Sequence, residues 1–146
     1  MGIRNKVIKG MYWFDTGIFP ATVMFVFGFT YDEMLSELKK KKADTWAMSI
    51  SEDRKLIEGS NYLAMKRVLE YKKTGKEIEH YIIKIKEPFI YTDYDYAKLA
   101  HEVLHICQYL LPDILDRNKE TEAEAYLHTH LMMKCLAALR GNKSIK

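Results

Sequence analysis

The segment His101-Glu102-Val103-Leu104-His105 carries two imidazoles four residues apart, with a carboxylate directly after the first. On a helix, residues at this spacing share one face, so both rings can reach the same cation. Glu102 is turned from that face by about 100°, the angular step of the helix, which places it beside the ion as a proton acceptor rather than as a ligand. Two imidazoles and an adjacent carboxylate are what metal-assisted hydrolysis requires. The metal polarises water and a substrate carbonyl, and the carboxylate takes and returns a proton. Around these residues Ala97, Leu99, Ala100, Val103, Leu104, Ile106, Cys107, Leu110 and Leu111 make the helix apolar on almost every side. Imidazoles and a carboxylate buried there without partners cost several kcal/mol. A shared metal satisfies all three, and zinc is the ion expected, although such donors also suit other divalent ions.

A catalytic zinc takes three protein donors and leaves one position for water. A third histidine on the same helix would follow a glycine at 108 and stand at 111, where this chain has Gln108 and Leu111. The third donor is therefore expected from a second helix, with Glu120, Glu122 and Glu124 as acidic candidates and His128 and His130 also available. Taking Ala125, Thr129, Met132, Met133, Leu136 and Leu139 as the most apolar face of that helix, Glu122 falls on its border. Glu124 then points about 200° away from Glu122, towards solvent, and Glu120 precedes the helix. Glu122 is the preferred donor, with the others left open.

The elements that must position these groups are legible from patterning. Met11 to Phe14 and Thr22 to Phe27 are rich in aromatic and β-branched residues and read as two strands around a Gly17 and Pro20 connection. Thr30-Tyr-Asp-Glu33 has capping-box spacing and opens a helix over about 31 to 42, with Met34, Leu35 and Leu38 as its apolar stripe. Its terminal lysines, Lys39 to Lys42, complement the negative end of the helix dipole and are expected to stay solvated. Trp46, Met48 and Ile50 alternate, which predicts a strand over Thr45 to Ser51. The region 61 to 72 pairs as a hairpin with Ile78 to Ile85 around a Thr74-Gly75 turn. Thr92-Asp-Tyr-Asp95 starts the histidine-bearing helix, which Pro112 is expected to stop. A polar connection, Asp113 to Lys119, leads to a last helix over about 122 to 139, opened by Thr121-Glu-Ala-Glu124.

With 146 residues, 48% of them hydrophobic, the chain is expected to form one α+β domain with a single sizeable core. Residues 1 to 91 should be mainly sheet with one helix, and 92 to 140 should carry the metal-site helices. A net charge of +3 from 23 basic and 20 acidic residues gives no field strong enough to imply nucleic acid or anionic lipid, and neither is expected as a partner. Cys107 and Cys135 lie in helix-like apolar stretches and read as reduced, buried thiols of a cytoplasmic protein. The longest apolar run, Gly17 to Phe29, falls short of the about 20 residues that span a bilayer.

His101-Glu-x-x-His105 followed by Glu122-Ala-Glu-Ala-Tyr126 resembles the gluzincin pattern, H-E-x-x-H and then E-x-x-A-D or E-x-x-A-Y on a second helix. In particular it resembles small zincin-like metalloproteases encoded by bacteriophages and prophages. The match in motif covers about residues 97 to 131; the rest agrees in layout. The resemblance implies a minimal zincin-like fold: a twisted mixed sheet, an active-site helix and a C-terminal backing helix. It implies His101, His105 and Glu122 as zinc ligands, Glu102 as general base, and a bacterial host cytoplasm as location. The function expected is a zinc metallopeptidase, with a peptide or protein substrate added as a strand to a sheet edge. The alternative is a non-catalytic domain that uses a structural metal and binds a partner protein. A third reading is a metal-free domain in which the motif is coincidence.

Overall fold

Strands β2 (Thr22–Phe27) and β4 (Lys76–Ile85) lie side by side at the centre of the sheet, and the runs Val23-Met-Phe-Val-Phe27 and Tyr81-Ile-Ile83 are buried on both faces. A sheet apolar on both sides needs helices on both sides. The computed structural model describes residues 8–16, 21–71, 75–114 and 121–141. Its order is β1(Gly10–Asp15), β2, α1(Tyr31–Lys40), α2(Asp44–Ser51), α3(Arg54–Gly59), β3(Tyr62–Tyr71), β4, α4(Asp93–Ile114) and α5(Thr121–Leu139).

The four strands run β1-β2-β4-β3. β1 is antiparallel to β2, with Gly10 opposite Phe27 and Asp15 opposite Thr22. β3 is antiparallel to β4, with Tyr62 opposite Ile85 and Tyr71 opposite Lys76. The central pair is parallel, Thr22 opposite His80 and Phe27 opposite Ile85, so the sheet is mixed. Gly28 ends β2 at φ +79, and a Cβ there would stand 2.5 Å from that of Lys9. Only glycine fits.

Side chains alternate across the strands. Phe25, Phe27, Tyr81, Ile83 and Ile85 face Leu99, Val103, Ile106 and Leu110 of α4 and Leu127, Leu131 and Cys135 of α5. Met24, Val26, Met65 and Ile82 face Met34 and Leu38 of α1, Ala47 and Ile50 of α2, and Ile57 of α3. Each fully buried side chain of this size contributes about 1.5–3 kcal/mol relative to exposure.

The N-terminal strand pair, α1, the β3–β4 hairpin and the two final helices are found where patterning placed them. The Thr30–Glu33 capping box is complete: Glu33 N donates to Thr30 Oγ1 at 3.2 Å, and Thr30 N to Glu33 Oε1 at 3.0 Å. Three expectations are corrected. Thr45 to Ser51 is not a strand but lies within α2, where Ala47 and Ile50 share the buried face and Met48 is 59% exposed. α3 was not anticipated, so the part before residue 91 carries three helices instead of one. α4 continues through Pro112 to Ile114; a proline in a final turn forfeits one amide bond there without breaking the turns before it. The capping box expected at Thr121, residue 74 of the expected turn and most of the 113–119 connection lie outside the described residues or side chains.

No helix among the described residues is long and apolar enough to cross a membrane. Cys107 and Cys135 are both buried and outside any disulfide, and burial pushes the Cys135 thiol up.

Candidate metal centre

Helix α4 is fixed to the edge strand β3 at two places. Near its start Asp95, 6% exposed, accepts from Tyr62 Oη at 3.0 Å, Ile90 N at 3.0 Å and Thr92 N at 3.3 Å. Asp95 N donates to Thr92 Oγ1 at 3.2 Å, which completes the reciprocal cap expected at Thr92. Burial, together with the Asp95 contact, pushes the Tyr62 phenol up to about 12, so it remains a proton donor. Towards the other end Tyr109 Oη donates to the Ala64 carbonyl of β3 at 3.4 Å. Tyr91 enters the helix at φ 64 and donates to Leu139 O of α5 at 2.6 Å, tying the entry of α4 to the exit of α5.

Between these anchors, the face of α4 turned from the core carries His101, exposed, and His105, half-buried. Their Nε2 atoms stand 3.1 Å apart, with the rings nearly perpendicular at 88°. Two nitrogens each bound to one tetrahedral zinc would stand about 3.3 Å apart. The pair therefore has a spacing that one ion can bridge with little movement. Nδ1 of His105 lies 3.1 Å from Gln108 Oε1. With Nδ1–H donating there, His105 keeps the lone pair on Nε2, the tautomer that a metal ligand needs. Gln108 thus has a positioning role that sequence reading missed, since it registered there only as the wrong residue for a three-histidine motif.

Glu102 is on the buried side of the helix at 6% exposure, as its angular offset from the histidines requires. Glu122 falls in the first turn of α5, but its side chain, like the whole of Glu120, lies outside the described residues. Glu124, expected to face solvent, is half-buried. The phase of α5 differs from the expected one: Leu127, Leu131, Cys135 and Ala138 face the core, whereas Ala125 and Thr129 are exposed and Met133 is 64% exposed. Met132, Leu136 and Leu139 of the expected face do pack on the core, and the shift arises because apolar residues surround this helix and their distribution alone does not select a side. His128 is committed to the neighbouring helix, with Nε2 3.1 Å from the Ala100 carbonyl, and His130 Nε2 is buried without a hydrogen-bond partner among the described residues. Among the described residues no group of three or more His, Cys, Asp or Glu side chains is placed to hold a metal. The described part of the candidate centre is thus a two-histidine pair with a neighbouring carboxylate.

No known protein family, curated protein or solved structure matches this chain.

Proposed function

We propose that this protein is a zinc-dependent hydrolase acting on peptides, with His101 and His105 as ligands, Glu102 as general base and Glu122 as third donor. The observation that carries the reading is the convergence of the two Nε2 atoms, 3.1 Å apart on an accessible helix face, with the His105 ring oriented by Gln108. The residues fit a zinc ion in donor type and spacing. When bound there, zinc supplies Lewis acidity towards water and a carbonyl oxygen.

The remaining work falls to the chain. Gln108 holds the His105 tautomer through Nδ1. Glu102 accepts a proton from water and returns it to the leaving amine, and its largely buried setting shields that exchange from bulk solvent. An extended peptide would bind along the outer side of β3, the edge strand among the described residues, by displacing Tyr109 from the outward-pointing Ala64 carbonyl. Addition of a strand there supplies main-chain hydrogen bonds beside the helix that carries the histidines.

Elemental analysis of the purified protein, with His101→Ala, His105→Ala and Glu122→Ala made alongside, tests the reading. About one zinc per chain in the wild type, lost in the histidine variants, is expected. Retention in Glu122→Ala alone would move the third donor to another residue. No zinc after reconstitution would overturn the proposal. A bound zinc with no hydrolysis of a mixed peptide library would reduce the site to a structural one serving protein interaction.

A further inference from the structure

On the other face of the sheet, a pocket of ≈ 370 Å³ is lined by Thr30, Tyr31 and Asp32 of the α1 start, Arg54 and Glu58 of α3, and Lys84 and Lys86 from β4 and its exit. Lys84 is 1% exposed, and its Nζ is buried with no hydrogen-bond partner among the described residues. An ammonium in such a position is destabilising unless a counter-charge makes good its lost hydration. The two acids of the pocket are engaged elsewhere. Glu58 Oε1 is 2.5 Å from Arg54 Nε, and Asp32 Oδ1 is 3.7 Å from an Arg54 terminal nitrogen. Arg54 also lies over the Tyr31 ring, 5.2 Å from its centroid, so the guanidinium is braced at the pocket by three neighbours.

The lining therefore holds three cationic side chains and two carboxylates, both carboxylates turned to Arg54 and the most deeply placed cation unpaired. We propose that this pocket binds a small oxyanion-bearing ligand, a phosphate or carboxylate compound, with Lys84 Nζ as the buried counter-charge and Lys86 and Arg54 as flanking donors. An anion supplies the one partner that Lys84 lacks, and it does so where a charge-assisted bond is shielded from water. The size of the pocket suits a small metabolite rather than a macromolecular surface. Burial, and secondarily the neighbouring Lys86, lowers the Lys84 amine to about 8, with Glu87 acting in the opposite sense. The group therefore still carries its charge at neutral pH. The site is independent of the histidine pair, which lies across the sheet.

Two-dimensional amide NMR of the full chain, titrated separately with inorganic phosphate and with acetate at constant ionic strength, tests the proposal. Saturable shifts at residues 30–32, 54, 58 and 84–86 are expected with at least one of the two. A response to phosphate alone identifies a phosphate-bearing ligand, and a response to acetate alone a carboxylate. Lys84→Met should weaken binding at least about tenfold, while Lys39→Gln, an equal charge change on the exposed end of α1, should leave it within about twofold. Absence of saturable shifts with both anions in the wild type would overturn the proposal. So would equal weakening by the Lys84 and Lys39 substitutions, which would reduce the effect to general ionic attraction.

Discussion

On the α4–α5 side of the sheet the imidazoles of His101 and His105 ride on the outer surface of a helix, whereas on the α1–α3 side His80 and Lys84 project from the central strand itself, each 1% exposed. In the first arrangement the imidazoles stand outside the core, so they are separable from stability, although Glu102 beside them is buried. In the second, every polar group competes with packing. His80 shows the consequence: Nε2 reaches Ser49 Oγ at 3.3 Å, Trp46 packs edge-on at 4.2 Å between ring centroids, and Nδ1 makes no well-formed hydrogen bond among the described residues. Burial, with Arg67 nearby, lowers the His80 imidazole to about 4. The exposed histidines should therefore change activity with little change in stability, and the groups buried on the central strand should change stability first.

The largest expected effect is at the buried carboxylate next to the histidine pair. Glu102→Gln should lower peptide hydrolysis by about 10²–10⁴-fold while zinc content and melting temperature stay at wild-type values. Parallel loss of fold would collapse the distinction between the faces. Asp95→Ala comes next, because it removes a cap and takes the acceptor from the half-buried Tyr62 hydroxyl; urea unfolding should register a loss of about 2–4 kcal/mol. Lys84→Met should act in the opposite direction, raising stability by about 1–3 kcal/mol at pH 7. That gain should shrink from pH 8 towards 10.5, where the unfolded chain holds the Lys84 proton and the folded one has released it. His80 predicts a loss of about 2 kcal/mol as pH falls from 6.5 to 4, since only the unfolded state binds the proton readily in that window. In His80→Gln the decline should be shallower. Smallest is His101→Ala in metal-free protein, expected to change unfolding by less than about 0.5 kcal/mol; a larger loss would mean that the helix face is coupled to the core after all.

Legibility in the sequence follows the same division. The histidine pair depends on two positions within one helical turn, so spacing alone brings it together, and the Nε2 separation agrees. The buried strands were legible because Val23 to Phe27 and Tyr81 to Ile85 are β-branched and aromatic. Where two periods fit a short segment, the reading failed. Trp46, Met48 and Ile50 alternate, but Ala47 and Ile50 are also one helical step apart, and eight residues do not separate the two patterns. The Lys84 pocket joins α1, α3 and β4, and no local motif links them. Its one signal was a lysine inside the run Tyr81-Ile-Ile-Lys-Ile85, a charge in a strand too apolar to have a solvent face.

The parallel pairing of β2 with β4 also constrains how the chain reaches its folded state. Thr22 meets His80 and Phe27 meets Ile85, so the two central strands join only after three helices and β3 have been threaded between them. Contacts of such sequence separation lose much chain entropy before they gain any energy, which slows folding. During synthesis the β1–β2 hairpin emerges with one apolar edge unpaired and must wait for β4 to cover it. That interval is when the chain is most exposed to aggregation, and a chaperone that shields Val23 to Phe27 would act there.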